Sequence, residues 1–137
     1  MTDEPKNAYV MRWKCADPEP KNCFNKVFRP KFAVFAECFP EYDNFTDVDG
    51  IVLINASFLM LEWKSSRFIG PKQHRLFVAL TKAADLTVFG VCGRAADMQV
   101  SAFCSYRSGK YQSWQSLDLE GLKLLISKWT ETALGAP

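Results

Sequence analysis

The sequence of 137 residues lacks several features by which proteins are assigned to classes. It contains no apolar run near the ~20 residues needed to span a bilayer, and no secretory signal peptide is visible. We therefore expect a cytoplasmic protein with no membrane partner. It also lacks the Walker and Rossmann glycine motifs, so the usual nucleotide-phosphate loops are absent from the sequence.

Histidine is scarce, and the spacing of the cysteines does not indicate any pairs. His74 is the only histidine, so any Cys-His or Ser-His-Asp catalytic scheme must use it. We expect it to be solvated or to contact phosphate. The five cysteines form no C-x-x-C pair, which predicts free thiols in a cytosolic chain. A zinc site using Cys15, Cys23 and Cys38 is an open alternative, although the spacing matches no standard pattern.

Apolar and aromatic residues are plentiful instead. Hydrophobic residues make up 48% of the chain and aromatic residues 14%, amounts typical of a folded core. A chain of this length accommodates one compact domain. We predict a single domain over 1–137, with an N-terminal arm at 1–23, a core at 30–92 and a C-terminal hairpin and helix at 98–134.

The net charge is small, but the charged residues are unevenly distributed along the chain. The net charge is only +2, which does not by itself indicate a nucleic-acid partner. From Trp63 to Ala84, however, there are five basic residues and no acidic one. Such a segment suits a phosphate backbone, and a solvated helix face explains the same pattern.

One stretch predicts a β-hairpin with charged residues at its ends. Two apolar runs flank a short polar break between Asp47 and Lys64. Side chains alternate along a strand, so Glu62 and Lys64 project from one face while Trp63 points to the other. Twelve residues separate Asp49 from Glu62, a spacing that a tight hairpin uses to bring the two carboxylates together.

The other elements alternate between helix and strand. In chain order, the pattern predicts a helix from Pro30 to about Phe39, the hairpin, a helix from Pro71, a buried strand over 86–92, a second hairpin within 98–114 and a last helix capped by Asp118. This order predicts an α/β fold with a mixed β-sheet flanked by helices.

The helix, D-x12-E-x-K hairpin, helix and strand between about 30 and 92 resemble the PD-(D/E)xK nuclease superfamily, especially its small phage-encoded or resolvase-like members. The resemblance implies a restriction-endonuclease-like core and a metal-dependent DNA endonuclease that hydrolyses phosphodiester bonds. It further implies Mg²⁺ as cofactor with Mn²⁺ as a substitute, DNA as partner, a homodimer, and the host cytoplasm for a phage-encoded protein.

The same resemblance assigns roles to individual residues. Asp49, Glu62 and Lys64 match the catalytic motif, and the two carboxylates together with the Trp63 carbonyl become the Mg²⁺ ligands. Lys64 then orients or helps to deprotonate the attacking water. Gln73 is similar to an accessory catalytic position on the following helix.

Further residues are expected to assist. Asp47 and Asp49 are predicted on the same strand face, so the choice of principal metal ligand between them stays open. Glu37 is similar to the acid that some members place on the first core helix. The expected phosphate-binding residues are Arg67, Lys72 and Arg75.

Two alternatives remain open. A catalytically inactive nuclease-fold protein that binds nucleic acid or a protein partner is the first, supported by aromatic side chains that can stack on bases or form an interface. These side chains are Trp13, Tyr106, Tyr111 and Trp114. The second is an unrelated α/β binding domain without a metal, in which Glu62 and Lys64 are an ordinary arrangement of strand charges.

Overall fold

The structure, a computed structural model, describes residues 31–40 and 45–135. The chain divides into two compact units, Met1–Thr46 and Asp47–Pro137. The predicted N-terminal arm at 1–23 lies outside the described residues, and the single-domain organisation stays a prediction. Among the described residues, no helix is long and apolar enough to cross a membrane.

In the first unit the helix predicted from Pro30 to about Phe39 is a 3-10 helix, Phe32–Cys38, and Pro30 itself lies outside the described residues. Its phenylalanine stripe packs against Phe45 with ring centroids 5.3 to 6.0 Å apart, yet none of its residues is buried. A helix in this segment is therefore confirmed, with 3-10 geometry, because so short a segment lacks the buried face that stabilises an α-helix. The chain is extended at Phe39, as the following Pro40 favours.

The second unit contains a mixed sheet and two α-helices. Its elements are β1 (Gly50–Ile54), β2 (Ser57–Lys64), α1 (Pro71–Ala83), β3 (Leu86–Arg94), β4 (Gln99–Arg107), β5 (Lys110–Ser116) and α2 (Leu119–Ala133). The five described strands follow the order β1-β2-β3-β4-β5, with only β2 and β3 parallel. Because parallel neighbours need a crossover, α1 connects these two strands. The predicted α/β fold with a mixed sheet is confirmed.

The two helices bury opposite faces of this sheet. Phe77 of α1 packs with Val88 and Tyr106 on one face, whereas Trp129 of α2 packs with Val91 on the other. Val88 and Val91 are both fully buried, as expected for a strand enclosed on two faces. The continuous apolar run from which a buried strand was predicted therefore forms the centre of the sheet.

Local sequence signals account for the hairpins and the last helix. Asn55 adopts a positive φ of 53° in the first turn, and Ser57 already belongs to β2. The second hairpin turns at 108–109, where both residues have positive φ. Asp118 caps α2, since its Oδ1 accepts a hydrogen bond from the Gly121 N–H at 2.8 Å.

Candidate functional site

The first hairpin places Asp49 beside Glu62. Its register pairs Gly50 with Leu61, so the next position outward sets Asp49 opposite Glu62. Asp49 Oδ2 accepts a hydrogen bond from the Trp63 N–H at 2.7 Å. The two carboxylates are therefore brought together in the way that the hairpin spacing predicts.

Glu62 is buried and makes two contacts through one oxygen. The residue is only 7% exposed. Gln73 Nε2, in the first turn of α1, donates a hydrogen bond to Glu62 Oε1 at 2.7 Å. Lys64 Nζ lies 3.6 Å from the same oxygen. The structure thus brings together Asp49, Glu62, Lys64 and Gln73, the four predicted catalytic residues.

The surroundings of Glu62 act against its negative charge. Burial raises the pKa of this carboxyl, and the neighbouring Asp49 charge raises it further. The hydrogen bond from Gln73 and the Lys64 ammonium lower the pKa, but the net direction is upward. A cation bound between the two carboxylates would offset both causes of the increase.

The oxygen atoms at this edge of the sheet suit a hard cation. A strand residue directs its N–H and C=O towards the same neighbouring strand, so the Trp63 carbonyl faces the edge where Asp49 lies. The Trp63 ring lies on the opposite face and donates to the Gly93 carbonyl at 3.0 Å. Two carboxylates and one carbonyl are ligands that Mg²⁺ accepts while keeping several waters.

The ligand set is small. Within 31–40 and 45–135, no group of three or more His, Cys, Asp or Glu side chains is positioned to hold a metal ion. A metal here would therefore depend on Asp49, Glu62, the Trp63 carbonyl and water. That composition fits Mg²⁺ better than zinc, which prefers nitrogen and sulfur ligands in a closed tetrahedral site.

The two accessory carboxylates lie outside the strands of the sheet. β1 begins at Gly50, so Asp47 and Asp49 both precede the strand, and the predicted shared strand face does not form. The contact to the Trp63 amide comes from Asp49, which favours Asp49 as the principal ligand. Glu37 lies on the exposed 3-10 helix of the first unit, and its accessory role stays a prediction.

The three predicted phosphate-binding residues lie exposed around the start of α1. Arg67 donates a hydrogen bond from Nη2 to Ser116 Oγ, at the end of β5, over 3.1 Å. Lys72 and Arg75 belong to the first turns of α1. Their role in phosphate binding stays a prediction, and nothing in the sequence pattern indicates the contact between Arg67 and Ser116.

His74 has a structural partner that was not predicted. Its Nδ1 lies 2.8 Å from the hydroxyl of the fully buried Tyr106, and the Tyr111 ring packs against both. The Nδ1 atom of His74 is therefore used within the fold, and a contact of this partly exposed residue with phosphate stays a prediction. Tyr106 and Tyr111 are cross-strand partners on either side of the second turn, which is the signal that indicates their pairing.

The aromatic residues proposed to stack on bases differ in exposure. Tyr106 belongs to the core and cannot stack on a ligand, and burial raises the pKa of its hydroxyl. Tyr111 is 40% exposed and Trp114 is half-buried. Trp13 lies outside the described residues. Tyr111 is therefore the most accessible of the three that the structure describes.

The described cysteines are free thiols, as predicted. Cys92 and Cys104 are buried, whereas Cys38 is exposed. Burial raises the pKa of Cys104 to about 11, so this thiol is neutral at physiological pH. The other two cysteines of the alternative zinc site, Cys15 and Cys23, lie outside the described residues.

No protein-family model, curated protein or solved structure matches this chain. The likeness to the PD-(D/E)xK superfamily therefore depends on the residues and their geometry alone. The structure establishes the general fold class, which is an α/β unit with a five-stranded mixed sheet among the described residues.

Proposed function

We propose that the chain is a Mg²⁺-dependent DNA endonuclease built on a restriction-endonuclease-like core. One observation carries the proposal: the buried Glu62 carboxylate is placed against the Asp49 carboxylate and within 3.6 Å of the Lys64 ammonium. A buried carboxylate that faces a second carboxylate destabilises a fold, so the placement of Glu62 beside the exposed Asp49 indicates a functional site more strongly than a structural one.

Each carboxylate has one oxygen held by the chain. Gln73 and Lys64 both contact Oε1 of Glu62, and the Trp63 N–H contacts Oδ2 of Asp49. Oε2 of Glu62 and Oδ1 of Asp49 are the oxygens that these contacts leave for a ligand. The hydrogen bonds fix the two side chains, which reduces the cost of organising them around an ion.

The remaining residues supply the other requirements of phosphodiester hydrolysis. Mg²⁺, when bound, neutralises charge on the phosphate and lowers the pKa of a coordinated water. Lys64 Nζ orients the attacking water and offsets the negative charge that develops on the phosphate. Arg67, Lys72 and Arg75 contact neighbouring phosphates of the DNA backbone.

A unit of this size covers a short length of duplex, which leads us to propose a homodimer that cuts two strands. Light scattering of the protein with and without DNA measures this directly. Two copies for each cleavable site are expected, and a stable monomer bound to DNA would contradict the homodimer while leaving the hydrolytic site intact.

Cleavage of plasmid and branched DNA tests the function. The full-length protein is incubated with Mg²⁺ or Mn²⁺ as wild type, Asp49→Ala and Lys64→Ala. We expect both substitutions to abolish metal binding or water activation, and Lys64→Ala to reduce the rate at least ~100-fold, the usual contribution of a positioned acid or base.

The matched control removes an acid and a base from the opposite face of the sheet. Glu120 and Lys123 form an exposed ion pair on α2, with 3.4 Å between the charged atoms. Glu120→Ala and Lys123→Ala should leave cleavage unchanged. Cleavage that persists in both Asp49→Ala and Lys64→Ala would show that the activity belongs to another site or to a contaminant.

An inactive nuclease-fold protein that binds nucleic acid or a protein is the second candidate. The observation that favours it is the engagement of Glu62 by Gln73, which satisfies the carboxylate without a metal. Crystals soaked in Mn²⁺ separate the two candidates. Anomalous density between Asp49 and Glu62 supports the enzyme, and DNA binding with no metal at this position supports the inactive relative.

A further inference from the structure

Phe68 is a large apolar side chain in contact with solvent. It lies in the segment 65–70, which connects β2 to α1, and it is 64% exposed. Burial of a phenylalanine side chain stabilises a folded protein, and this position largely forgoes that contribution. A ring held in water at this position is therefore available to a ligand.

Contacts on both sides of Phe68 hold the segment in place. The neighbouring Ile69 packs against the cluster beneath α1, and Arg67 donates a hydrogen bond to Ser116 Oγ at 3.1 Å. The Phe68 N–H itself donates to the Ser66 carbonyl at 2.8 Å. The exposure of Phe68 is consequently a property of a fixed segment, and the ring is presented without a large ordering cost.

The segment crosses the end of the sheet at which the candidate metal ligands lie. β2 and β3 are parallel, and β5 runs in the same direction. Lys64 and Ser116, the last residues of β2 and β5, therefore lie at the same end of the sheet. Arg67 joins these two strand ends. Phe68 follows Arg67 in the chain, so the exposed ring belongs to a segment at the same end of the sheet as Asp49 and Glu62.

The charges around Phe68 identify the kind of partner. From Trp63 to Ala84 every charged residue is basic, and Arg67 and Arg75, which precede and follow Phe68 in the sequence, are both exposed. Binding to an apolar protein surface would not require these positive charges, whereas a polyanion is electrostatically complementary to them. Exposed aromatic rings set among basic residues are the combination by which proteins bind single-stranded nucleic acid.

We propose that Phe68 stacks on an unpaired base of DNA that is bound across this end of the sheet. The preferred substrate is then DNA with a single-stranded or branched segment, and fully paired duplex is disfavoured. This proposal rests on the proposed nuclease function, because it extends the same site to a class of DNA. Stacking requires an exposed π-face, which paired and stacked bases inside a duplex do not offer.

Binding without catalysis tests the proposal. Fluorescence anisotropy in EDTA compares a single strand, a three-way branch and a blunt duplex of the same sequence. Phe68→Ala should weaken binding to the single strand and the branch by about 5- to 100-fold, as loss of one base–aromatic stack does, and leave the duplex unchanged. Phe68→Trp, which keeps an aromatic face, should restore the wild-type preference.

A matched control and a direct probe accompany this measurement. Leu124 of α2 is 60% exposed on the opposite side of the sheet, so Leu124→Ala removes a similar amount of exposed apolar surface without an expected effect on DNA binding. A single strand that carries 5-iodouracil should crosslink on irradiation to the tryptic peptide 68–72 in wild type and not in Phe68→Ala.

The outcomes separate this proposal from the function on which it rests. If wild type cleaves DNA in an Asp49-dependent manner but Phe68→Ala binds all three substrates as wild type does, the stacking role is wrong and the nuclease stands. If wild type neither binds nor cleaves DNA, both are wrong. If Phe68→Ala instead abolishes self-association in light scattering with DNA binding intact, Phe68 contacts a second copy of the chain, which also overturns the stacking role.

Discussion

Glu62 is the residue whose chemistry is most constrained by the fold. Its position on β2 makes it a neighbour of Lys64 on the same strand and of Asp49 across the hairpin. Gln73 of α1, which covers this face of the sheet, donates a hydrogen bond to it. Burial is the largest cause of its raised pKa, and the charge of Asp49 is the second. The surroundings of Glu62 therefore favour the protonated form of this carboxyl.

We predict that Glu62→Gln stabilises the protein at neutral pH while it removes activity. A carboxyl with a raised pKa favours the folded state below its ordinary value of 4.5, and this advantage is lost as the pH rises through the raised value. Glutamine does not ionise, so the variant keeps that stability. Urea unfolding between pH 4 and 8 should show a gain at pH 7 above the ~0.5 kcal/mol typical of surface substitutions.

The control for this prediction is Glu120→Gln on α2. Glu120 has a side chain that is 79% exposed and pairs with Lys123, so its neutralisation should change stability little at any pH. A Glu62→Gln variant that is less stable than wild type throughout the pH range would contradict the account of the pKa. It would mean that the ion pair with Lys64 outweighs the burial of the charge.

At the scale of elements, Gly90 determines how closely β3 and β4 approach beneath α1. Gly90 is paired with Glu62 on one side and with Cys104 on the other. A Cβ atom at this position would lie 2.6 Å from the Cys104 sulfur, which is too close for two atoms that are not bonded. The absence of a side chain at Gly90 therefore allows the row Glu62–Gly90–Cys104 to form.

Gly90→Ala should destabilise the protein by about 1–3 kcal/mol, because Cys104 is buried and has little room to shift. Cys104→Ala removes the sulfur, so the double variant should recover part of this loss. Denaturant unfolding of both single variants and the double variant gives the coupling energy, expected at roughly 0.5–3 kcal/mol. Gly50→Ala, with nothing within 4 Å of the added atom, is the control. Additive effects would show that the two residues do not interact.

Elements controlled by local chemistry were predictable from the sequence. Pro71 begins α1, Asp118 caps α2 and the apolar run from Leu86 forms the buried strand. A proline at a helix start, a capping carboxylate and a continuous apolar run are each recognisable in the sequence itself. The juxtaposition of Asp49 and Glu62 was predictable for the same reason, since a tight turn fixes hairpin register.

Elements that depend on distant packing were not predictable. The stripe of phenylalanines in Phe32–Cys38 has helical spacing, but the segment is a 3-10 helix without a buried face. The partners of His74 and Arg67 come from β4 and β5, far along the chain, and side-chain periodicity carries no information about such contacts. Either contact can be predicted only when the pairing of the strands in the sheet is already known.

At the scale of the whole unit Asp47–Pro137, the two faces of the sheet differ in chemistry. The cluster beneath α2 is apolar, whereas the face beneath α1 also holds Glu62 with Gln73 and the hydrogen bond between His74 and Tyr106. The candidate metal ligands come from the segment before β1 and from β2. An ion bound there would therefore connect the start of the edge strand β1 to its neighbour β2.

We predict that Mg²⁺, Mn²⁺ or Ca²⁺ raises the unfolding temperature of the full-length protein. A ligand that binds only the folded state stabilises it by ~1.4 kcal/mol when its concentration is ten times Kd, which corresponds to roughly 5 °C for a chain of this size. The shift should be smaller at acidic pH than at neutral pH, because the raised pKa of Glu62 strengthens the competition of protons with the ion for this carboxylate. Differential scanning calorimetry of wild type, Asp49→Asn and Glu62→Gln measures it, with Asp85→Asn, at the other end of the sheet, as the control. An equal shift in wild type and in both site variants would show that the cations act on the protein generally and that Asp49 and Glu62 hold no metal.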